Sequence, residues 1–238
     1  MSLILECRSL SKCHDTRAGR SWALRNISFE VTEGEFVSVV GPSGSGKSTL
    51  LGILGLLDTQ FDGLLRFLGR DVSALSSRAR QDLARAHIGF IFQHYHLLGE
   101  LTVEENLDVP LSYRRLARAE RRQRIDATLE RFGLSDKRDR FPAQLSGGQQ
   151  QLVAVARALI AHPLLILADE PTGALHSSHG HMIMRLVAEL NAEGTTVVQV
   201  THSMEHARYG WRTLELFDGW ISPAETAPDA ARTPEAAP

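Results

Sequence analysis

The sequence predicts an α/β fold in which a parallel sheet is flanked by helices. Three observations predict it. A glycine-rich loop, Gly41-Pro42-Ser43-Gly44-Ser45-Gly46-Lys47-Ser48-Thr49, stands between an apolar, β-branched run and an apolar run of helical length. Two further apolar runs, 164–168 and 197–200, read as strands and are separated by segments long enough for helices. Strands that alternate with helices pair in parallel and take the helices on their faces. Finally, residues 3–10 and 27–31 alternate apolar and polar side chains, which predicts an N-terminal β region.

Taken in order, the run 35–40 is Val-rich and continuous, as a strand buried on both faces must be. The loop that follows fits G-x-x-x-x-G-K-[ST]. Gly41, Gly44 and Gly46 let the backbone curl until several N–H groups converge on an anion. Lys47 places a point charge on β- and γ-phosphates, and Ser48 offers a hydroxyl to Mg²⁺. Residues 50–57 read as a buried helix. Residues 64–67 form a short strand with Asp62-Gly63 as its turn, and 76–87 a polar helix capped by Ser76 or Ser77. A strand over 88–92 ends at Gln93. Residues 102–141 read as a helical stretch rich in Arg, with Glu120, Asp126 and Glu130 interleaved, which is a solvated face. The strand 164–168 ends in Asp169 and Glu170. Two carboxylates at such a strand end point into the ligand crevice of an α/β sheet. Ser146, Gly147 and Gly148 open a helix that runs to 160, and a helix start of that composition is a ready anion site.

Whole-chain properties bound the function. The 238 residues suffice for one substantial core plus a subdomain. Net charge is 26 − 28 = −2, and the arginines lack interleaved aromatics, so no nucleic-acid partner is expected. No apolar run approaches the ~18 residues that a membrane span needs, and the first residues lack a secretory pattern. Cys7 and Cys13 match no zinc or redox spacing, so they are expected to be reduced thiols. Residues 222–238, rich in Ala, Pro and Thr, are expected to form a disordered tail.

The pentapeptide Leu145-Ser146-Gly147-Gly148-Gln149 follows the phosphate loop by about a hundred residues. With it, the chain resembles the ATP-binding cassette (ABC) ATPase family over about residues 3–221. The resemblance implies one ABC domain over 1–221. It would comprise a P-loop NTPase core, an N-terminal antiparallel β region and a helical arm subdomain at about 94–160 that meets a membrane partner. It implies that Asp169 holds Mg²⁺, that Glu170 is the general base for the attacking water, and that Gln93 reaches the Mg²⁺ and the water. His202 would contact the γ-phosphate and steady Glu170. Residues 145–149 would serve the ATP of a second subunit, so two chains sandwich two ATP molecules. The other histidines, His181 and His206 among them, read as surface or packing residues.

Three positions depart from the family pattern. His14 stands where an aromatic, often Tyr, stacks on adenine, with Trp22 as a possible substitute. His176 replaces an Asp in Gly173-Ala174-Leu175-His176, and Leu152 replaces a common Arg. Slower turnover or weaker coupling between sites is the expectation from His176. Residues 92–98, 101–110 and 168–173 resemble the branch of macrolide-exporter and lipoprotein-release ATPases. The expectation is therefore a peripheral, cytoplasmic-face subunit that hydrolyses ATP and powers a separate membrane permease. A nucleotide-gated regulatory cassette with weak hydrolysis, or a soluble cassette acting on nucleic acid, is the alternative.

Overall fold

The computed structural model describes residues 2–16, 19–114, 116–173 and 177–222. Two sheets share the chain. The first is antiparallel: β1 (Leu3–Thr16), β2 (Gly19–Thr32), β4 (Asp62–Phe67) and β5 (Arg70–Asp71), in the order β2-β1-β4-β5. The second comprises β3 (Phe36–Val40), β6 (Ile88–Ile91), β7 (Leu165–Asp169), β8 (Thr196–Thr201), β9 (Arg212–Phe217) and β10 (Trp220–Ile221). Its order is β10-β9-β3-β8-β7-β6, parallel except at β10.

The helices are α1 (Lys47–Leu54), α2 (Ser77–His87), α3 (Val103–Ser112), α4 (Arg118–Arg131), α5 (Gly147–Leu159), α6 (Ser177–Ala192) and α7 (Met204–Ala207). Strand alternation sorts them. Leu165 and Leu167 of β7 face one core with Val198 and Val200 of β8. There α1 (Leu50, Leu51, Ile53 and Leu54) lies between the parallel sheet and the β1–β2–β4 sheet. Ile166, Ala168 and Val197 point the other way, onto α3, α4, α5 and α6. Both faces of β7 and β8 are covered, which is why their sequences show no polar alternation. Each fully buried Leu or Ile of these cores contributes roughly 1.5–3 kcal/mol of transfer free energy.

Two differences from the sequence reading have physical causes. The strands β1 and β2 are each 14 residues long, well beyond 3–10 and 27–31. Their outer halves pair with each other, from Lys12↔Leu24 to Thr16↔Gly19. Gly19 to Trp22 are exposed there, so no apolar period marks the pairing. The stretch 102–141 is not one helix but α3, α4 and a 3₁₀ turn at Ser135–Lys137. The Arg121 guanidinium donates to both Asp108 carboxylate oxygens and staples α4 to α3. At the C-terminus of α4 the Leu134 N–H turns back to the Leu129 carbonyl at 2.8 Å and stops the helix. The predicted Ser76 cap is present: its Oγ accepts from Ala79 N–H at 3.2 Å. The tail read over 222–238 lies, apart from Ser222, outside the described residues.

Candidate functional site

The glycine-rich loop links the buried end of β3 to α1, and close approach dictates its glycines. A Cβ on Gly41 would lie 2.0 Å from the Leu216 carbonyl oxygen of β9. A Cβ on Gly46 would lie 2.3 Å from the Ala23 carbonyl oxygen of β2, and Gly46 has φ 105°. The loop is therefore wedged between the two sheets. Inside it the Lys47 ammonium donates to the Gly41 and Pro42 carbonyls at 2.7 and 2.9 Å. The N–H groups of Lys47, Ser48 and Thr49 begin α1 and have no intrahelical acceptor. Gly46 supplies no side-chain cap for them. Ser45 is buried, and its Oγ has no hydrogen-bond partner among the described residues. Uncapped donors, a buried cation and an orphaned hydroxyl converge on one loop, and that set fits a polyphosphate.

The ends of β7 and β8 complete the crevice. Ser48 Oγ of α1 donates to Asp169 Oδ1 at 3.3 Å. Burial pushes the Asp169 carboxyl above its ordinary range, the Ser48 hydrogen bond opposes this, and the neighbouring Glu170 charge adds to it. Two hard oxygen donors side by side, one of them a desolvated carboxylate, fit Mg²⁺.

Glu170 sits in the left-handed region with φ 44°, a conformation that costs a non-glycine residue about 1–3 kcal/mol. Its N–H donates to the Val200 carbonyl at 2.9 Å, which holds it there. The side chain is only 12% exposed. Its Oε2 accepts from Thr201 Oγ1 at 3.1 Å, and its Oε1 lies 2.8 Å from His202 Nδ1. The His202 ring is itself 65% exposed. It shares a cleft of about 250 Å³ with Gly41, Pro42 and Glu215. Gln93, two residues beyond β6, packs on the turn after Glu170: a Cβ on Gly173 would lie 3.0 Å from its Nε2. The structure thus gathers Lys47, Ser48, Asp169, Glu170, His202 and Gln93 at the carboxyl edges of four neighbouring parallel strands.

Leu145 to Gln149 form a separate feature. Ser146 caps α5: its Oγ accepts from Gln149 N–H at 3.4 Å, and Gln149 Oε1 accepts from Ser146 N–H at 3.0 Å. Gly147 lies against the tip of the Tyr95 side chain, where a Cβ would meet the hydroxyl at 2.9 Å.

Two residues that the sequence reading did not single out tie this helix to the crevice. Arg157 of α5 donates to the Tyr95 and His96 carbonyls at 2.9 and 2.7 Å. Both acceptors are left-handed, with φ 48° and 46°. Gln151, fully buried, donates from Nε2 to the Pro171 carbonyl at 2.6 Å. A lone Arg between Ala156 and Ala158 was the available signal for Arg157.

The three departures fare differently. His14 is exposed on β1 opposite Ser21. Trp22, opposite Cys13 on β2, is also exposed and directly precedes the Ala23 that presses on Gly46. Leu152 is half-buried against the second core and lines a hollow of about 540 Å³ with Arg131, Phe132 and Met182. The substitution read at His176 lies outside the described residues.

Comparison with known proteins agrees with this architecture. Residues 24–173 match the ABC transporter family model. The macrolide export ATP-binding/permease protein MacB of Sodalis glossinidius is 46% identical over 235 residues, 99% of this chain and 36% of that protein. The MacB of Escherichia coli K12 is 45% identical over 221 residues, 93% of this chain and 34% of that protein. The chain thus spans about a third of the length of these relatives. A dimeric structure of the ATP-binding cassette MJ0796 bound to ADP and Pi superposes with a TM-score of 0.86 at 41% identity, covering 93% of this chain and 98% of that one. CbiO1 of Clostridium perfringens, part of the cbiONQ transporter complex, superposes at 0.82 with 26% identity, covering 94% and 88%. A loop built for polyphosphate, two carboxylates at the next strand's end and a capped Ser-Gly-Gly helix therefore occur together in a chain that belongs to the ABC transporter family.

Proposed function

We propose that this chain binds and hydrolyses ATP in the crevice between α1 and β7, as the motor of an ABC transporter. The observation that carries the reading is Glu170, held on one oxygen by Thr201 and on the other by His202, directly after the Asp169–Ser48 pair. The loop 41–49 (Gly41, Pro42, Ser43, Gly44, Ser45, Gly46, Lys47, Ser48 and Thr49) encloses the phosphates, and Lys47 turns from its own loop carbonyls to the β- and γ-oxygens. Mg²⁺, when bound by Ser48 and Asp169 with Gln93 nearby, neutralises charge on those oxygens. Glu170 takes the proton of the attacking water, and His202 keeps that carboxylate oriented. Positioned base catalysis of this kind supplies about 10²–10⁴ in rate. His14 stacks on the adenine.

The segment 145–149 of a second copy, or of a related cassette, covers the γ-phosphate. The dimeric cassette among the relatives supports this arrangement. ATP then closes the pair, and loss of the γ-phosphate opens it. The moving load is a membrane permease at the cytoplasmic face, of the export type that the MacB names indicate. Among the described residues no helix is long and apolar enough to cross a membrane.

Light scattering on a Glu170→Gln variant tests this. With MgATP the mass should double, and without nucleotide it should not. A monomer that binds ATP yet never pairs would exclude the sandwich. Unchanged phosphate release by the variant would exclude Glu170 as the base.

A further inference from the structure

Beside the proposed ATP crevice lies a second group of side chains that hydrolysis does not use. His181 of α6 and Glu205 and His206 of α7 bring one ligand atom each within 4.8 Å of one another, the only such trio among the described residues. His181 Nε2 already lies 3.3 Å from Glu205 Oε1. The two imidazoles meet edge to face, 5.7 Å between ring centres. Tetrahedral ligands at 2.0–2.1 Å from zinc stand about 3.4 Å apart, so small side-chain rotations close the set.

We propose that His181, Glu205 and His206 bind a divalent transition-metal ion of the zinc class, with a fourth position left to water. Two imidazoles and one carboxylate select such an ion over Mg²⁺, which demands oxygen ligands. The site carries its own orienting partners. Thr172 Oγ1 lies 2.8 Å from His206 Nδ1, and an Nδ1–H donated there leaves the other ring nitrogen free as ligand. Gln199 Nε2 donates to the His206 carbonyl at 2.8 Å, and Ser203 Oγ accepts from His206 N–H at 3.3 Å, so the His206 backbone is fixed at both its polar groups. His181 is partly exposed and Glu205 is exposed, which gives the ion an entry path.

The position has a consequence. Thr172, two residues beyond Glu170, lies against His206, and Glu205 lies three residues beyond His202. An ion at the trio ties α6 to α7 and so locks together the two segments that hold the hydrolytic Glu170–His202 pair. Zinc should therefore slow turnover without displacing nucleotide.

Untagged full-length chain is titrated with Zn²⁺ by calorimetry, and with Co²⁺ by visible absorption, in the absence of nucleotide. One equivalent is expected to bind at micromolar concentration, and Co²⁺ should give the intense d–d bands of four-coordinate nitrogen–oxygen ligation. His181→Ala and Glu205→Gln, neither of them a core position, should each weaken binding at least tenfold, the scale of losing one ligand. Zinc inhibition of phosphate release should vanish with them. Binding that is unchanged in both variants, no binding below 0.1 mM (roughly −5.5 kcal/mol,), or an octahedral cobalt spectrum would each overturn the proposal. None of these binding readouts depends on whether the chain hydrolyses ATP.

Discussion

Two glycine-rich helix N-termini, one at Lys47 and one at Gly147, satisfy their first-turn donors in opposite ways. The first has no side-chain cap, and its cap residue, Gly46, is left-handed. Its donors are left for a ligand, and the loop beneath is locked by β2 and β9. The second satisfies its own first turn through the Ser146–Gln149 capping box. A site that is complete within one chain is built open and rigid. Under the proposed dimer, the second site is closed on itself in the single chain and must exchange those internal bonds when the partner's ligand arrives.

Substitutions can break that contrast. The largest effect is expected for Gly46→Ala. Its Cβ meets a backbone carbonyl and its φ is positive, so about 3 kcal/mol or more of stability should go, together with nucleotide binding. Thermal melts with and without ATP check it, and a variant that still shifts its Tm with ATP would show that the loop yields. Arg157→Met comes next. Two charge-assisted hydrogen bonds to left-handed carbonyls are removed, which costs roughly 2–3 kcal/mol. ATP affinity should hold while dimer formation weakens, because the loop after Gln93 loses its hold on α5. Equal loss of both would mean that Arg157 is merely structural.

Cys7 reports on the half of the molecule that carries α1, since it is buried in that core. Burial, with the Glu6 charge adding, pushes its thiol from 9.0 to about 12. The folded state keeps the thiol neutral, whereas the unfolded chain ionises it from about pH 9. Its stabilisation is therefore complete below pH 9. It falls by about 1.4 kcal/mol per pH unit between 9 and 12, and levels above that. Unfolding free energies from denaturant titrations at pH 8 and 10.5 should differ by roughly 2 kcal/mol more in wild type than in Cys7→Ala. Ser146→Ala is the gentlest change, about 1 kcal/mol for a lost cap. If α5 works only in the dimer, ATP-driven pairing should suffer more than the melt does.

Local chemistry made much of this legible. The loop 41–49 announces itself because only glycine tolerates the turns and approaches found at Gly41 and Gly46. The strand before Asp169 announces itself because both its faces are buried, which demands an unbroken apolar run. Asp169 and Glu170 were readable as strand-end side chains in the crevice, whereas His202 was reached only through the family resemblance. Tyr95, Gln151 and Arg157 were not, because each acts through a backbone carbonyl or a ring held on another element, and no spacing along the chain encodes such a contact. The exposed half of the β1–β2 ribbon was equally silent, since strands that pair without a buried face leave no period.

His181 and His206 show the boundary most sharply. Along the chain they are 25 residues apart and look like surface imidazoles. Residue type and period thus specified the phosphate loop, the strand order's raw material and the strand-end acids, because each is a local demand on backbone or burial. The folding of α6 against α7, the clamp of Arg157 on the Tyr95 loop and the seating of Gln93 on Gly173 were decided only when the sheets packed, because those are distances between segments that the chain never brings near one another in sequence.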